Sequence, residues 1–266
     1  MISKTFRIAR MIVLASFALS SAAWAATCSN ASLSGTYGWL MGGTASDGTP
    51  VKGLSQVTFD PTTGTYTGED RQSHNGVIIT FPITATYAVA SNCTVRATLT
   101  VGGKSEHIAL VVTSTGFLSL NQRTGVISAG PGVKQGSPTC TNAGVEGSFG
   151  FQATGVFVAG APVTGPVAFI GELKLTVNPS GEGVISGHIA SSEDGTILTF
   201  AEEPVTGSYT VDRDCRGTAT ITPKGRSEMH FSLVVVDGGN EILALETDAN
   251  TVVNGTLENN DLLQSF

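Results

Sequence analysis

Apolar and polar residues alternate along much of this chain. Leu54-Ser-Gln-Val-Thr-Phe59, Thr94-Val-Arg-Ala-Thr-Leu-Thr-Val101, Gly171-Glu-Leu-Lys-Leu-Thr-Val177 and Thr218-Ala-Thr-Ile-Thr222 keep a period of two, or nearly so. That period belongs to antiparallel strands with one face buried and one face wet. Thr and Val fill these stretches, and both suit a pleated surface. Turn dipeptides separate them, as in Ser46-Asp-Gly48, Asp194-Gly195 and Asp237-Gly-Gly-Asn240. Beyond the N-terminus no window sustains a helical period, and 33 glycines would make long helices costly. The pattern predicts an all-β chain.

The pattern also occurs twice. Cys28-Ser-Asn-Ala-Ser-Leu-Ser-Gly-Thr-Tyr-Gly38 parallels Cys140-Thr-Asn-Ala-Gly-Val-Glu-Gly-Ser-Phe-Gly150 without a gap. Gly76-Val-Ile-Ile-Thr-Phe81 parallels Gly195-Thr-Ile-Leu-Thr-Phe200, and Leu118-Ser-Leu120 parallels Leu243-Ala-Leu245. Tyr87 precedes Cys93 by six residues, and Tyr209 precedes Cys215 by six. A fixed order of matched landmarks marks a tandem duplication. Four cysteines allow three pairings. The repeat selects Cys28 with Cys93 and Cys140 with Cys215, one disulfide per lobe.

Each half has room for eight or nine short strands joined by hairpins. Two tandem antiparallel up-and-down β-barrels are expected, with β-sandwiches as the alternative. Closure is favoured because it removes exposed sheet edges. Inward Val, Leu and Phe are expected to fill both lumens. The expected limits are residues 1–25 as a leader, 26–136 as the first lobe and 137–266 as the second. Residues 128–139, rich in Gly and Pro, read as the linker. The two lobes are expected to melt separately.

The leader reading rests on Lys4, Arg7 and Arg10, then an apolar run from Met11 to Leu19, then Ala23-Trp-Ala25. That order is a secretory signal, and its apolar run is too short to span a bilayer. A secreted or periplasmic location follows, with no membrane span after signal removal. Without residues 1–25 the net charge falls to about -10, because three of the 14 Lys and Arg residues go and all 21 acids stay. Such a charge excludes nucleic acid as a natural partner. The second lobe alone makes the chain acidic, with five Lys and Arg against sixteen acids in residues 140–266, while residues 28–137 carry six against five.

The order Gly-x-Tyr/Phe-Gly, an Asp- or Asn-containing turn, then Tyr-x-Val-x-x-Asn/Asp-Cys has a family likeness. Here the last phrase is Tyr87-Ala-Val-Ala-Ser-Asn-Cys93 and Tyr209-Thr-Val-Asp-Arg-Asp-Cys215. The chain resembles uncharacterised exported bacterial proteins with calycin-like small β-barrels, here as a tandem duplication. The resemblance implies a fold and brings no activity.

Candidate chemistry is sparse. The sequence has no nucleophile elbow, P-loop, dinucleotide fingerprint or His-Glu-x-x-His motif. His107 and His230 each follow a Ser-Glu pair, but neighbours Glu106 and His107 on a strand face opposite ways. The extra Met229 offsets the second pair. Tyr37, Phe149, Tyr87 and Tyr209 recur with the repeat, as ligand-stacking rings or as core aromatics. These four and the two histidines are the candidate ligand-binding residues. Asp212, Asp214, Glu202, Glu203, Asp248, Glu258 and Asp261 could offer oxygen ligands, though a solvated acidic face is the simpler reading. No metal site and no cofactor are expected. The sequence reads as a non-enzymatic exported module that binds an unknown protein or surface. A carrier of a small apolar ligand in a barrel lumen is the first alternative, and an isomerase or lyase at a barrel mouth is the second.

Overall fold

The structure, a computed structural model, describes residues 27–101, 104–122, 124–136 and 140–260. Residues 1–25, read as a signal, lie outside the described residues. Among the described residues the chain forms sixteen strands and three short 3₁₀ turns. No helix there is long and apolar enough to cross a membrane.

The first eight strands are β1 (Gly35–Ala45), β2 (Pro50–Asp60), β3 (Thr65–His74), β4 (Val77–Val89), β5 (Thr94–Val101), β6 (Lys104–Val112), β7 (Gly116–Asn121) and β8 (Val126–Lys134). The second eight are β9 (Gly147–Phe157), β10 (Gly165–Val177), β11 (Gly183–Glu193), β12 (Thr196–Val211), β13 (Arg216–Pro223), β14 (Met229–Val236), β15 (Glu241–Glu246) and β16 (Thr251–Asn259). Each set meanders antiparallel and closes on itself, β1 against β8 and β9 against β16. The duplication is therefore two closed barrels, not sandwiches. Asn75-Gly76 and Asp194-Gly195 take positive φ at both positions, the mark of a two-residue hairpin turn.

The linker is shorter than the sequence indicated. Residues 128–134 belong to β8, which pairs with both β7 and β1. The Gly-Pro-Gly run there serves packing. A Cβ on Gly132 would lie 2.1 Å from the Phe117 ring, and one on Gly130 would lie 1.9 Å from the Leu40 carbonyl oxygen. Register with β1 is interrupted between Gly132 and Ala129, next to Pro131, which has no N–H to donate.

Each barrel has a closed end and an open end. At the closed end a 3₁₀ turn, Asn30–Ser32 or Asn142–Val145, caps the barrel beside its disulfide. The disulfides join Cys28 to Cys93 and Cys140 to Cys215. The Tyr87 hydroxyl donates to the Leu33 carbonyl at 3.0 Å, and Tyr209 does the same to Asn142 at 2.9 Å. Behind them aromatic rings fill the first barrel. Phe59 meets Tyr66 at 4.8 Å, Tyr87 at 5.1 Å and Tyr37 at 5.4 Å between centroids.

The barrels share a third core. Leu40 and Leu54 on the outer face of β1 and β2 pack with Val234, Val236, Leu243 and Leu245 on the outer face of β14 and β15. Polar contacts frame this core. Asn254 Nδ2 donates to the Met41 carbonyl at 2.9 Å, Arg216 Nε donates to Gln56 at 2.6 Å, and Arg216 pairs with Glu69 at 3.1 Å. A Cβ at Gly38 would come within 2.7–2.9 Å of Val236, Leu243 and Val234. The lobes are thus not independent, and separate melting is no longer expected.

Candidate functional site

Strand alternation fixes which side chains reach a lumen, and position along the strand fixes how deep they lie. On β4 the inward series runs from exposed Ile79 through half-buried Phe81 to buried Ile83 and Ala85. The lumen of the first barrel is filled at the disulfide end and open at the other. The expectation of two filled lumens is corrected here. An open cavity of about 810 Å³ descends from the hairpin loops to Trp39 and Asp70. Its walls include Met41, Ile79, Phe81, Ile83, Leu99 and Ile108, with Gln72, His74, Glu106 and Asn121 among them. The volume and mixed lining are those of a small-molecule site.

Asp70 is the buried charge of this cavity. It sits on the inward side of β3, 3 % exposed. Ser55 Oγ donates to its Oδ1 at 2.8 Å, and Gln72 Nε2 donates to its Oδ2 at 2.6 Å. No cation among the described residues pairs with it. Burial raises its pKa from 3.8 to about 6, and the two hydrogen bonds only partly oppose that. Beside it, Trp39 Nε1 donates to Ser119 Oγ at 2.8 Å, and Ser119 Oγ donates in turn to the Gly130 carbonyl at 2.8 Å.

The raised Asp70 pKa has a sign that can be measured. The folded chain holds this proton more tightly than the unfolded chain, so stability falls as pH rises from about 4 to about 6. Asp70→Asn is expected to raise stability at pH 7.5 by roughly 1–2 kcal/mol, less than the roughly 3 kcal/mol of the full shift. The gain should vanish near pH 4. Urea melts at the two pH values check this, and a variant no more stable at pH 7.5 would refute it.

The second barrel opens on the same side of its own repeat. A cavity of about 470 Å³ is lined by Phe157, Phe169, Val163, Met229 and Glu246, with Arg226, Glu228 and Asp248 at the rim. Glu246 is 2 % exposed, and its Oε2 has no hydrogen-bond donor among the described residues. Burial first, then Asp248 and Glu193, raises its pKa from 4.5 to about 8. Arg226 is engaged by Glu193.

Strand pairing aligns the two lumens residue by residue. Trp39, Ser55, Asp70 and Ser119 have Phe151, Gly171, Ile189 and Ala244 as counterparts. These four positions are apolar in the second barrel, while Gln72, the other donor to Asp70, has the polar Ser191 as its counterpart. Conversely, Glu246 stands where the first barrel has Asn121. Among the described residues each barrel therefore keeps one buried carboxyl, on a different wall.

The residues singled out from the sequence lie elsewhere. Tyr37 and Phe149 are buried in the closed ends, and Tyr87 and Tyr209 sit in the caps. His107 and His230 occupy matching positions, opposite Thr98 and Thr220, despite the extra Met229. Both face solvent. His107 Nδ1 lies 3.3 Å from Thr98 Oγ1, and His230 Nδ1 lies 2.8 Å from Asp248 Oδ1. None of these six side chains lines either cavity. Glu106, by contrast, turns inward. The acidic residues are scattered: Asp212 and Asp214 flank the β12–β13 turn, Asp248 binds His230, and Glu258 pairs across β15–β16 with Glu241. The side chains of Glu202 and Glu203, and all of Asp261, lie outside the described residues. Among the described residues no group of three or more His, Cys, Asp or Glu is placed to hold a metal ion.

No protein-family model matches the chain, and no curated protein matches it. Among solved structures, a protein of unknown function from the DUF3598 family of Nostoc punctiforme PCC 73102 is similar over 86% of this chain and 97% of its own. The two are 11% identical with a TM-score of 0.25, a likeness that says nothing of activity.

Proposed function

We propose that this is an exported, non-enzymatic binding protein of an oxidising compartment. It takes small, mostly apolar molecules with a protonated amine head into the open ends of its two barrels. The observation that carries this reading is the pairing, in each barrel, of an apolar open cavity with a buried carboxyl that has no cation partner among the described residues. A buried carboxylate is costly unless a charge or a donor meets it. An ammonium group on the ligand would supply both. The balance of the remaining charges favours a cation too: Asp47 and Glu106 lie in the first cavity, and around the second Glu193, Glu228 and Asp248 outnumber Arg226, which Glu193 already engages. The two disulfides and the leader-like N-terminus support export.

Decylamine, decanol and decanoate form a matched probe set. In the chain lacking residues 1–25, Trp39 is the sole tryptophan and lies on the wall of the first cavity. Native mass spectrometry is expected to show two decylamines per chain, with a change in Trp39 fluorescence. Asp70→Asn should leave one bound amine and abolish the fluorescence change. Glu246→Gln should leave one and keep it. Failure to bind decylamine, or equal uptake of decanoate, would overturn the proposal.

A further inference from the structure

The contact between the barrels is heterologous. The outer face of β14–β16 on the second barrel sits on the outer face of β1–β3 on the first. Because the barrels are repeats, each face has a counterpart that the chain leaves largely open, save for Val133 at the end of β8, which packs against the shared core. The counterpart of the docked face is the outer surface of β6–β8. Val234, Leu243, Leu245 and Val252 correspond there to Val111, Leu118, Leu120 and Ile127. The first four are 4, 0, 0 and 1 % exposed, and the second four are 46, 56, 48 and 75 % exposed. The first barrel thus shows to solvent the same apolar pattern that the second barrel buries. Four large apolar side chains grouped on one face mark an interaction surface rather than scattered exposure.

The counterpart of the receiving face is the outer surface of β9–β11, also uncovered. Leu54 corresponds there to Ile170, which is 58 % exposed. Gly38 corresponds to Gly150. At Gly38 any side chain would strike the docked barrel, while a Cβ on Gly150 would meet only the Asn260 side chain, at 3.3 Å. The second copy keeps the glycine that close docking requires. Charges match as well. Gln56 and Thr218 line one gap at the inter-barrel contact, and their counterparts are Glu172 and Arg96, of opposite sign.

We propose that a second copy of this chain docks its β9–β11 outer face onto the β6–β8 outer face of the first barrel, repeating between chains the contact made within one. The occupant is a second copy because the chain itself displays both halves of a contact it has already made once. A heterologous contact of this kind adds chains head to tail, into a ring or an open row. The inference is independent of the ligand reading, since Val111, Leu118, Leu120, Ile127 and Ile170 line neither of the two ligand cavities.

Sedimentation over a range of protein concentrations tests it. The wild-type chain is expected to assemble beyond a dimer as concentration rises. Leu118→Glu and Ile170→Glu, both at exposed positions, should each stay monomeric with an unchanged thermal melt. An equimolar mixture of the two variants should form a dimer and stop, because one intact face of each kind remains. A wild-type chain that stays monomeric would overturn the proposal. So would an Ile170→Glu variant that assembles normally, or a mixture that does not dimerise.

Discussion

Leu243→Asp is expected to uncouple the two barrels. Leu243 is fully buried between them, among Leu40, Leu54, Val234, Val236 and Leu245. Truncating such a side chain already forfeits roughly 1.5–3 kcal/mol of burial. An aspartate there adds an unpaired charge in an apolar contact, for a total of about 3–5 kcal/mol. Each barrel keeps its own core, because Leu243 points away from the lumen. The wild-type chain should therefore melt in one transition, and the variant in two. Calorimetry decides the matter. Two transitions in the wild type would mean the shared core is too weak to couple the lobes, and one transition in the variant would mean that other contacts carry the coupling.

Glu246→Gln should stabilise the protein, which is unusual for a buried polar residue. The folded-state pKa is raised from 4.5 to about 8. Between those values the folded chain binds more protons than the unfolded chain, so stability falls as pH rises through that window. The shift is worth at most roughly 5 kcal/mol. Gln removes the titration and keeps the shape, so a gain of about 2–3 kcal/mol is expected at pH 8, with none near pH 4.5. Urea melts at both pH values provide the check. A variant no more stable at pH 8 would show that Glu246 is well solvated or partnered. A stabilising loss of a buried carboxyl is what a site held for a ligand should give, since a strained site costs stability.

Much of this architecture is legible in the sequence. Alternation along Leu54–Phe59 and Leu173–Val177 named the strands. The matched phrases at Cys28 and Cys140 named the duplication, and the duplication named both disulfides. The site was less legible. Asp70 lies in Thr65–His74, a polar stretch with no apolar alternation to mark it as a strand. Only the pairing of Asp70 with Ser55 reveals that its side chain points inward, and that its counterpart is Ile189. Glu246 follows Leu243-Ala-Leu245 and could be read as the end of a strand, with no hint that it ends inside. Recurrence with the repeat drew attention instead to Tyr87 and Tyr209, which the fold uses as caps.

By itself the sequence determined the period of the strands, their number to within one, and the sulfur pairs, because each is a property of local spacing or of comparison between halves. The tertiary structure decided what alternation cannot express. A period of two says that a residue faces in or out, but not how far from the mouth an inward residue lies, nor whether an outward one is covered. Leu118 and Leu243 have the same local pattern and the same place in their repeats. One faces solvent and the other is sealed, because a neighbouring barrel sits on only one of them.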